Sequence, residues 1–126
     1  MNSYRTIHRV DIQAHIKAGT DMRLAEALPE KYHREAHLPG ALLLPHDEVR
    51  DRAEALVADK NAFIVVYCAN TPCNNSRIAA QTLASMGYTN VAEYAEGKED
   101  WIEQGRRLRQ RVTHPALRGG LAIGLR

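Results

Sequence analysis

Cysteine is scarce in this sequence: Cys68 and Cys73 are the only two, and both sit in one short polar segment. So small a pair cannot build the disulfide framework of a secreted mini-domain, which leaves reactive chemistry in a reducing compartment as its better use. A Cys-x4-Cys spacing without a second pair, among histidines that share no spacing, is not a zinc pattern, so no metal is expected. No apolar run approaches the roughly 18 residues needed to cross a bilayer. Residues 1–8 have no apolar core of the secretory kind. The expectation is therefore a cytoplasmic protein with no membrane partner. Internal repeats and low-complexity stretches are missing too.

The 126 residues are enough for one ordinary domain, and 44% hydrophobic with 25% charged residues is a globular composition. Charge is unevenly spread. Residues 106–126 carry six Arg and no acid against a whole-chain net charge of +2, so residues 1–105 carry −4. The division expected is a domain over 1–105 and a basic C-terminal extension over 106–126. The run Arg106-Arg107-Leu108-Arg109-Gln110-Arg111 is basic enough to touch nucleic acid or acidic lipid. It has no aromatic side chain for base stacking, so nucleic acid is not an expected partner. Leu117, Leu121, Ala122, Ile123 and Leu125 point instead to docking on the domain, or to a homodimer through the extension.

Strands and helices alternate along the chain. A helix begins at Val10-Asp11-Ile12, with Ile12, His15 and Ile16 on one face and Gly19 as its stop. Met22–Leu28 is a weak strand, Glu30–Glu35 a helical turn, and Ala41–Leu44 a short buried strand closed by Pro45. Asp47 to Val57 is helical, with Val49, Ala53, Leu56 and Val57 as its apolar stripe. Phe63-Ile64-Val65-Val66-Tyr67-Cys68 is the clearest strand. A helix from Ser76 to Met86 follows, with Ser76 as N-cap and Gly87 as C-cap. Val91–Tyr94 is a strand, and Gly97 to Gln104 a helix ending at Gly105. This order implies βαβ units and a mainly parallel α/β sheet covered on both faces. Ligands of such sheets bind beyond the carboxyl ends of the strands.

Cys68 stands at such an end. Between it and the next helix runs the loop Ala69-Asn70-Thr71-Pro72-Cys73-Asn74-Asn75, and then Ser76 and Arg77. Strand, polar loop and helix place the thiol among backbone N–H groups and beside a helix N-terminus. Both features lower a thiol's pKa and make it a nucleophile. The alternative is a small buried apolar residue at a strand end. The polar loop favours the nucleophile, with Ala69, Asn70, Thr71, Pro72, Cys73, Asn74, Asn75, Ser76 and Arg77 as the residues that line its pocket. Cys73 has three readings: a resolving or sulfur-relay thiol, a loop residue with no task, and the reacting thiol itself, which its place relative to the strand argues against. His37 reads as a structural histidine bonded to a turn, and Trp101 and Tyr67 as core. Glu93, Glu96, Glu99, Asp100 and Glu103 read as a solvated acidic face.

Four segments in order resemble the rhodanese-like sulfurtransferases over about residues 6–105. His37-Leu38-Pro39-Gly40-Ala41 with Leu44-Pro45 is similar to the family's "HIPGAxxIP". Val65-Val66-Tyr67-Cys68 is similar to the strand that carries its cysteine. Ser76-Arg77-Ile78-Ala79-Ala80-Gln81-Thr82-Leu83 with Gly87-Tyr88-Thr89-Asn90-Val91 resembles "SxxAAxxLxxxGYxNV". Gly97–Gly105, with Asp100-Trp101, resembles "GGxxDWxxAG". The resemblance implies a five-stranded, mainly parallel sheet with helices on both faces. It also implies a persulfide on Cys68, taken from a small-molecule or protein sulfur donor and passed to a thiol or cyanide acceptor without a cofactor.

Three departures qualify that picture. Seven residues separate Cys68 from Ser76, two more than in the family's loop, and a longer loop widens the pocket. Asn75 stands where the family has an arginine, which predicts weaker binding of dianionic donors such as thiosulfate. The family's "DVR" reads Glu26-Ala27-Leu28, with Glu26 as a partial substitute for the acidic support. These departures keep two alternatives in play: a low-turnover binding or redox-sensing module using Cys68 and Cys73, and, more weakly, a phosphate or arsenate enzyme.

Overall fold

The structure, a computed structural model, describes residues 3–111. Strands and helices alternate: β1 (Arg5–Thr6), α1 (Arg9–Ala18), β2 (Met22–Glu26), α2 (Glu30–Glu35), β3 (Leu42–Leu43), α3 (Val49–Leu56), β4 (Phe63–Tyr67), α4 (Asn75–Ser85), β5 (Val91–Tyr94) and α5 (Gly97–Arg111). The five strands form one sheet in the order β1-β5-β4-β2-β3, every pair parallel. The expected α/β sheet is thus present, and it is wholly rather than mainly parallel.

β4 holds the centre, and all five of its residues are buried. That is why it reads as an unbroken apolar run: a central parallel strand has no polar face to show. Its side chains alternate between two cores. Ile64 and Val66 pack with Val49 and Ala53 of α3 and with Ala79 and Leu83 of α4. Phe63, Val65 and Tyr67 pack with Ile12 of α1 and Trp101 of α5. Helices therefore cover both faces, and Trp101 and Tyr67 are core residues, each fully buried. After β3 the chain crosses back over β2 to enter β4, so the strand order reverses between β2 and β4. Ligands of open parallel sheets bind in the crevice at such a reversal.

One fully buried acid lies near that end of the sheet. Glu26, the last residue of β2, accepts a hydrogen bond from the Tyr67 hydroxyl on Oε1 (2.8 Å) and pairs through Oε2 with Lys98 Nζ (3.0 Å). Lys98 also donates to the Tyr32 carbonyl oxygen (3.0 Å). The cation that supports Glu26 therefore comes from α5, far along the chain. Replacing Lys98 with Met would leave a buried carboxylate with one partner, at a cost of about 3 kcal/mol. Denaturant unfolding should show that loss, and the double variant Glu26→Gln/Lys98→Met should recover most of it.

Several boundaries differ from those the sequence predicts. β4 ends at Tyr67, so Cys68 is the first residue beyond the strand. β2 ends at Glu26, two residues short of Leu28, and α3 is trimmed to Val49–Leu56. β1 is only two residues long and pairs Arg5 and Thr6 with Ala92 and Glu93; no apolar run announces it. α5 does not stop at Gly105 but runs on to Arg111. Gly105 is buried, and the residues after it, Arg106-Arg107-Leu108, are strong helix formers. The first part of the basic extension is thus the end of a domain helix. The docking expected of Leu117, Leu121, Ala122, Ile123 and Leu125 lies outside the described residues.

Candidate active site

The loop after β4 is held from three sides. From α5, the Lys98 N–H donates to the Cys68 carbonyl oxygen (2.9 Å) and the Glu99 N–H to the Ala69 carbonyl oxygen (2.8 Å). From the residue after β2, the Ala27 carbonyl oxygen accepts the Asn75 side-chain amide (3.4 Å), while the Ala27 N–H donates to the Tyr67 carbonyl oxygen (2.9 Å). Within the loop, the Cys73 N–H closes a turn on the Asn70 carbonyl oxygen (3.1 Å), and the Asn70 side chain reaches Glu99 (3.3 Å). Among the described residues, the N–H groups of Ala69, Asn70, Thr71 and Asn74 donate to no protein oxygen. Unspent amides at a strand–loop–helix junction are suited to receive an anion.

Cys68 is buried beneath this loop. Its Sγ lies 3.3 Å from Ser76 Oγ and 3.6 Å from the Cys73 carbonyl oxygen. Both cysteines are free. Ser76 is not the N-cap the sequence predicts: α4 starts one residue earlier, after Asn74, and Ser76 sits fully buried in its first turn. There its hydroxyl donates to Glu93 Oε2 on β5 (2.7 Å). Three side chains thus form a line from the end of β4 through α4 to β5: Cys68, Ser76 and Glu93.

The electrostatics correct a second expectation. Burial pushes the Cys68 thiol above its ordinary range, and the neighbouring Cys73 adds to the rise, while the Ser76 N–H acts in the opposite direction. Desolvation wins because the thiolate has few charges to lean on. No arginine enters the loop. Asn75 holds the place and spends its amide on Ala27. Arg77 is exposed on α4 and makes no hydrogen bond or ion pair among the described residues.

The other candidate residues divide between the thiol and the rim. Cys68, Cys73 and Ser76 come together. Thr71 and Pro72 are exposed and, with Asn70, wall an open cavity of about 370 Å³ whose other side is Glu96, Glu99, Asp100 and Glu103. Four of the five acids assigned to a solvated face therefore border the loop. Three are partly engaged elsewhere, Asp100 with Arg9 (3.1 Å), Glu96 with His8 (3.0 Å) and Glu103 with Arg106 (3.3 Å). Glu93 departs furthest from that assignment, because its carboxylate turns inward to Ser76. The sequence signal for it is an acid within a strand of a sheet that helices cover on both faces. His37 has the structural role expected: its Nδ1 bonds the His33 carbonyl oxygen (2.7 Å) and its ring stacks on His33 at 4.0 Å. Among the described residues, no group of three or more His, Cys, Asp or Glu is placed to hold a metal ion, and no helix is long and apolar enough to cross a membrane.

Residues 10–104 match the family model of the rhodanese-like domain. The chain is 41% identical over 73 residues to thiosulfate sulfurtransferase PspE of Escherichia coli (strain K12), an alignment covering 58% of this chain and 66% of that protein. It is 31% identical over 72 residues to YrkF of Bacillus subtilis (strain 168), covering 57% of this chain and 36% of that protein. The chain thus spans less than two thirds of each of these relatives. A human single domain sulfurtransferase superposes with a TM-score of 0.68 at 22% identity, over 81% of this chain and 98% of its own, which establishes likeness of fold.

Proposed function

From the premise that this chain belongs to the rhodanese-like family, we propose that it is a sulfurtransferase that carries sulfane sulfur as a persulfide on Cys68. The observation that carries the reading is the place of Cys68: just beyond the central strand, at the reversal of strand order, under a loop with unspent amides. The thiolate attacks the outer sulfur of a donor. A sulfur–sulfur bond forms to Cys68, and the donor's own bond to that sulfur breaks with its electron pair on the leaving group. The terminal sulfur then bears negative charge, which the loop N–H groups and the Ser76 N–H can stabilise. An acceptor thiolate, or cyanide, attacks that sulfur and returns the electron pair to Cys68. No cofactor is needed for either step.

The loop without arginine and the acidic rim weigh against a dianionic donor and favour a persulfide or a protein-borne sulfur over thiosulfate. Intact-mass measurement after treatment with each donor tests the proposal. The protein should gain one sulfur atom that dithiothreitol removes, and should gain it more readily from a persulfide than from thiosulfate. A folded protein that takes no sulfur from any donor would sink the reading.

A second reading has its own support. Cys73 lies beside Cys68, and both cysteines are free. A low-turnover module that senses oxidation through a Cys68–Cys73 disulfide would use that nearness. It requires a reversible disulfide and no multiple-turnover sulfur transfer.

A further inference from the structure

A buried serine between a thiol and a carboxylate has one hydrogen to give. Ser76 is fully buried, and its hydroxyl lies 2.7 Å from Glu93 Oε2 and 3.3 Å from Cys68 Sγ. An ionised carboxylate only accepts hydrogen bonds. The shorter, charge-assisted contact therefore takes the serine hydrogen, leaving the Ser76 lone pairs to face sulfur. A thiol can donate into them, whereas a thiolate cannot. Taken with the reading of Cys68 as nucleophile, we propose that Glu93 is a positioning residue: by holding the Ser76 hydrogen it makes Ser76 an acceptor for the Cys68 S–H and keeps the nucleophile in its thiol form at rest.

The arrangement explains why a serine beside the sulfur does not make it a resting thiolate. The Ser76 hydroxyl, unlike the Ser76 N–H, can stabilise negative charge on Cys68 or on its persulfide only when its hydrogen is released. That happens when a neutral donor stands in place of the carboxylate, because an amide there donates to Ser76 Oγ and turns the serine hydrogen toward sulfur. Other groups near this line are few. Tyr4, just before β1, feels the charges of both Glu93 and Arg77, and Cys73 faces Cys68 from the loop. Arg77 is the cation near this edge, and it is not committed to another acid among the described residues.

The test uses iodoacetamide, a neutral reagent, so that only the protonation state of sulfur is read and no sulfur donor is involved. Its outcome is therefore independent of whether Cys68 carries sulfur. Alkylation at Cys68 is followed from pH 5 to 10 by fragment-ion mass spectrometry, in the wild type, Glu93→Gln, Ser76→Ala and the double variant, with melting curves to confirm folding. Glutamine can donate its amide to Ser76 and release the serine hydrogen to sulfur. Glu93→Gln should therefore move the whole profile down by about one pH unit, which speeds alkylation at pH 7 roughly tenfold. That gain should vanish in the Ser76→Ala background. If Glu93→Gln fails to fold, Glu93→Ala makes the same comparison. An unchanged or slower rate overturns the proposal. So does a gain that survives without Ser76, because the carboxylate would then act by its charge alone and not through the serine.

Discussion

Replacing Cys68 with serine should leave the fold standing and remove sulfur loading altogether. Serine is slightly smaller than cysteine, and its hydroxyl can bond to the same two oxygens, Ser76 Oγ and the Cys73 carbonyl, that now flank the thiol. The stability change should stay within about 1 kcal/mol. The chemical loss is of another order. A serine hydroxyl ionises far less readily than a thiol, and its oxygen forms no persulfide. Sulfur transfer should fall on the order of a thousand-fold or more, toward the uncatalysed rate. Mass spectrometry after donor treatment should find no sulfur on the peptide holding residue 68. The companion variant Cys73→Ser separates the two thiols. If Cys68 alone carries sulfur, Cys73→Ser still loads one atom. If loading survives Cys68→Ser and is lost in Cys73→Ser, the carrier is Cys73 and the assignment fails. If neither variant changes partner binding and wild type never turns over, the redox module is the better account.

What can be read from the sequence follows from where burial is two-sided. β4 is plain because a central parallel strand must be apolar at every position, and Phe63 to Tyr67 are. Gly19 is plain as a helix stop because its φ of 73° is one that other residues rarely adopt. β1 is not legible: two residues at a sheet edge, both exposed, bury nothing that leaves a pattern. Ser76 looks like a cap because serine favours that position, yet Asn74 takes the N-cap and Ser76 turns into the site. Glu93 and Glu26 are the hardest. Each sits in a strand as an isolated acid, and only the paired neighbour shows its purpose: Ser76 from α4 for one, Lys98 from α5 for the other. Those partners are 17 and 72 residues away, beyond any local pattern. The raised thiol pKa escapes the sequence for a related reason. A helix N-terminus and loop amides are visible there, whereas the depth at which Cys68 is buried is not.

Gly97→Ala should be the most damaging single-methyl change in the domain. Gly97 opens α5 with a φ of 67°, in the left-handed region. A Cβ there would stand 2.4 Å from the Cys68 carbonyl oxygen, 3.0 Å from the Cys68 carbonyl carbon and 3.1 Å from the Ala69 carbonyl carbon. All three are backbone atoms, so no side chain can swing aside. The left-handed conformation costs alanine about 1–2 kcal/mol. Separating α5 from the loop then strains the bonds from the Lys98 and Glu99 N–H groups to the Cys68 and Ala69 carbonyls, each worth about 1 kcal/mol. The total is about 4 kcal/mol, a fall in melting temperature of roughly 15 °C for a domain this size. Gly19→Ala is the control. Gly19 has a φ of 73° and nothing within 4 Å of its would-be Cβ, so it carries the conformational cost without the clash and should lose about 1 kcal/mol. Equal losses from the two variants would mean that the close approach of α5 to the cysteine loop contributes nothing. A larger loss at Gly97, with slower alkylation or loading of Cys68 in the protein that remains folded, would show that α5 holds the loop in its working shape.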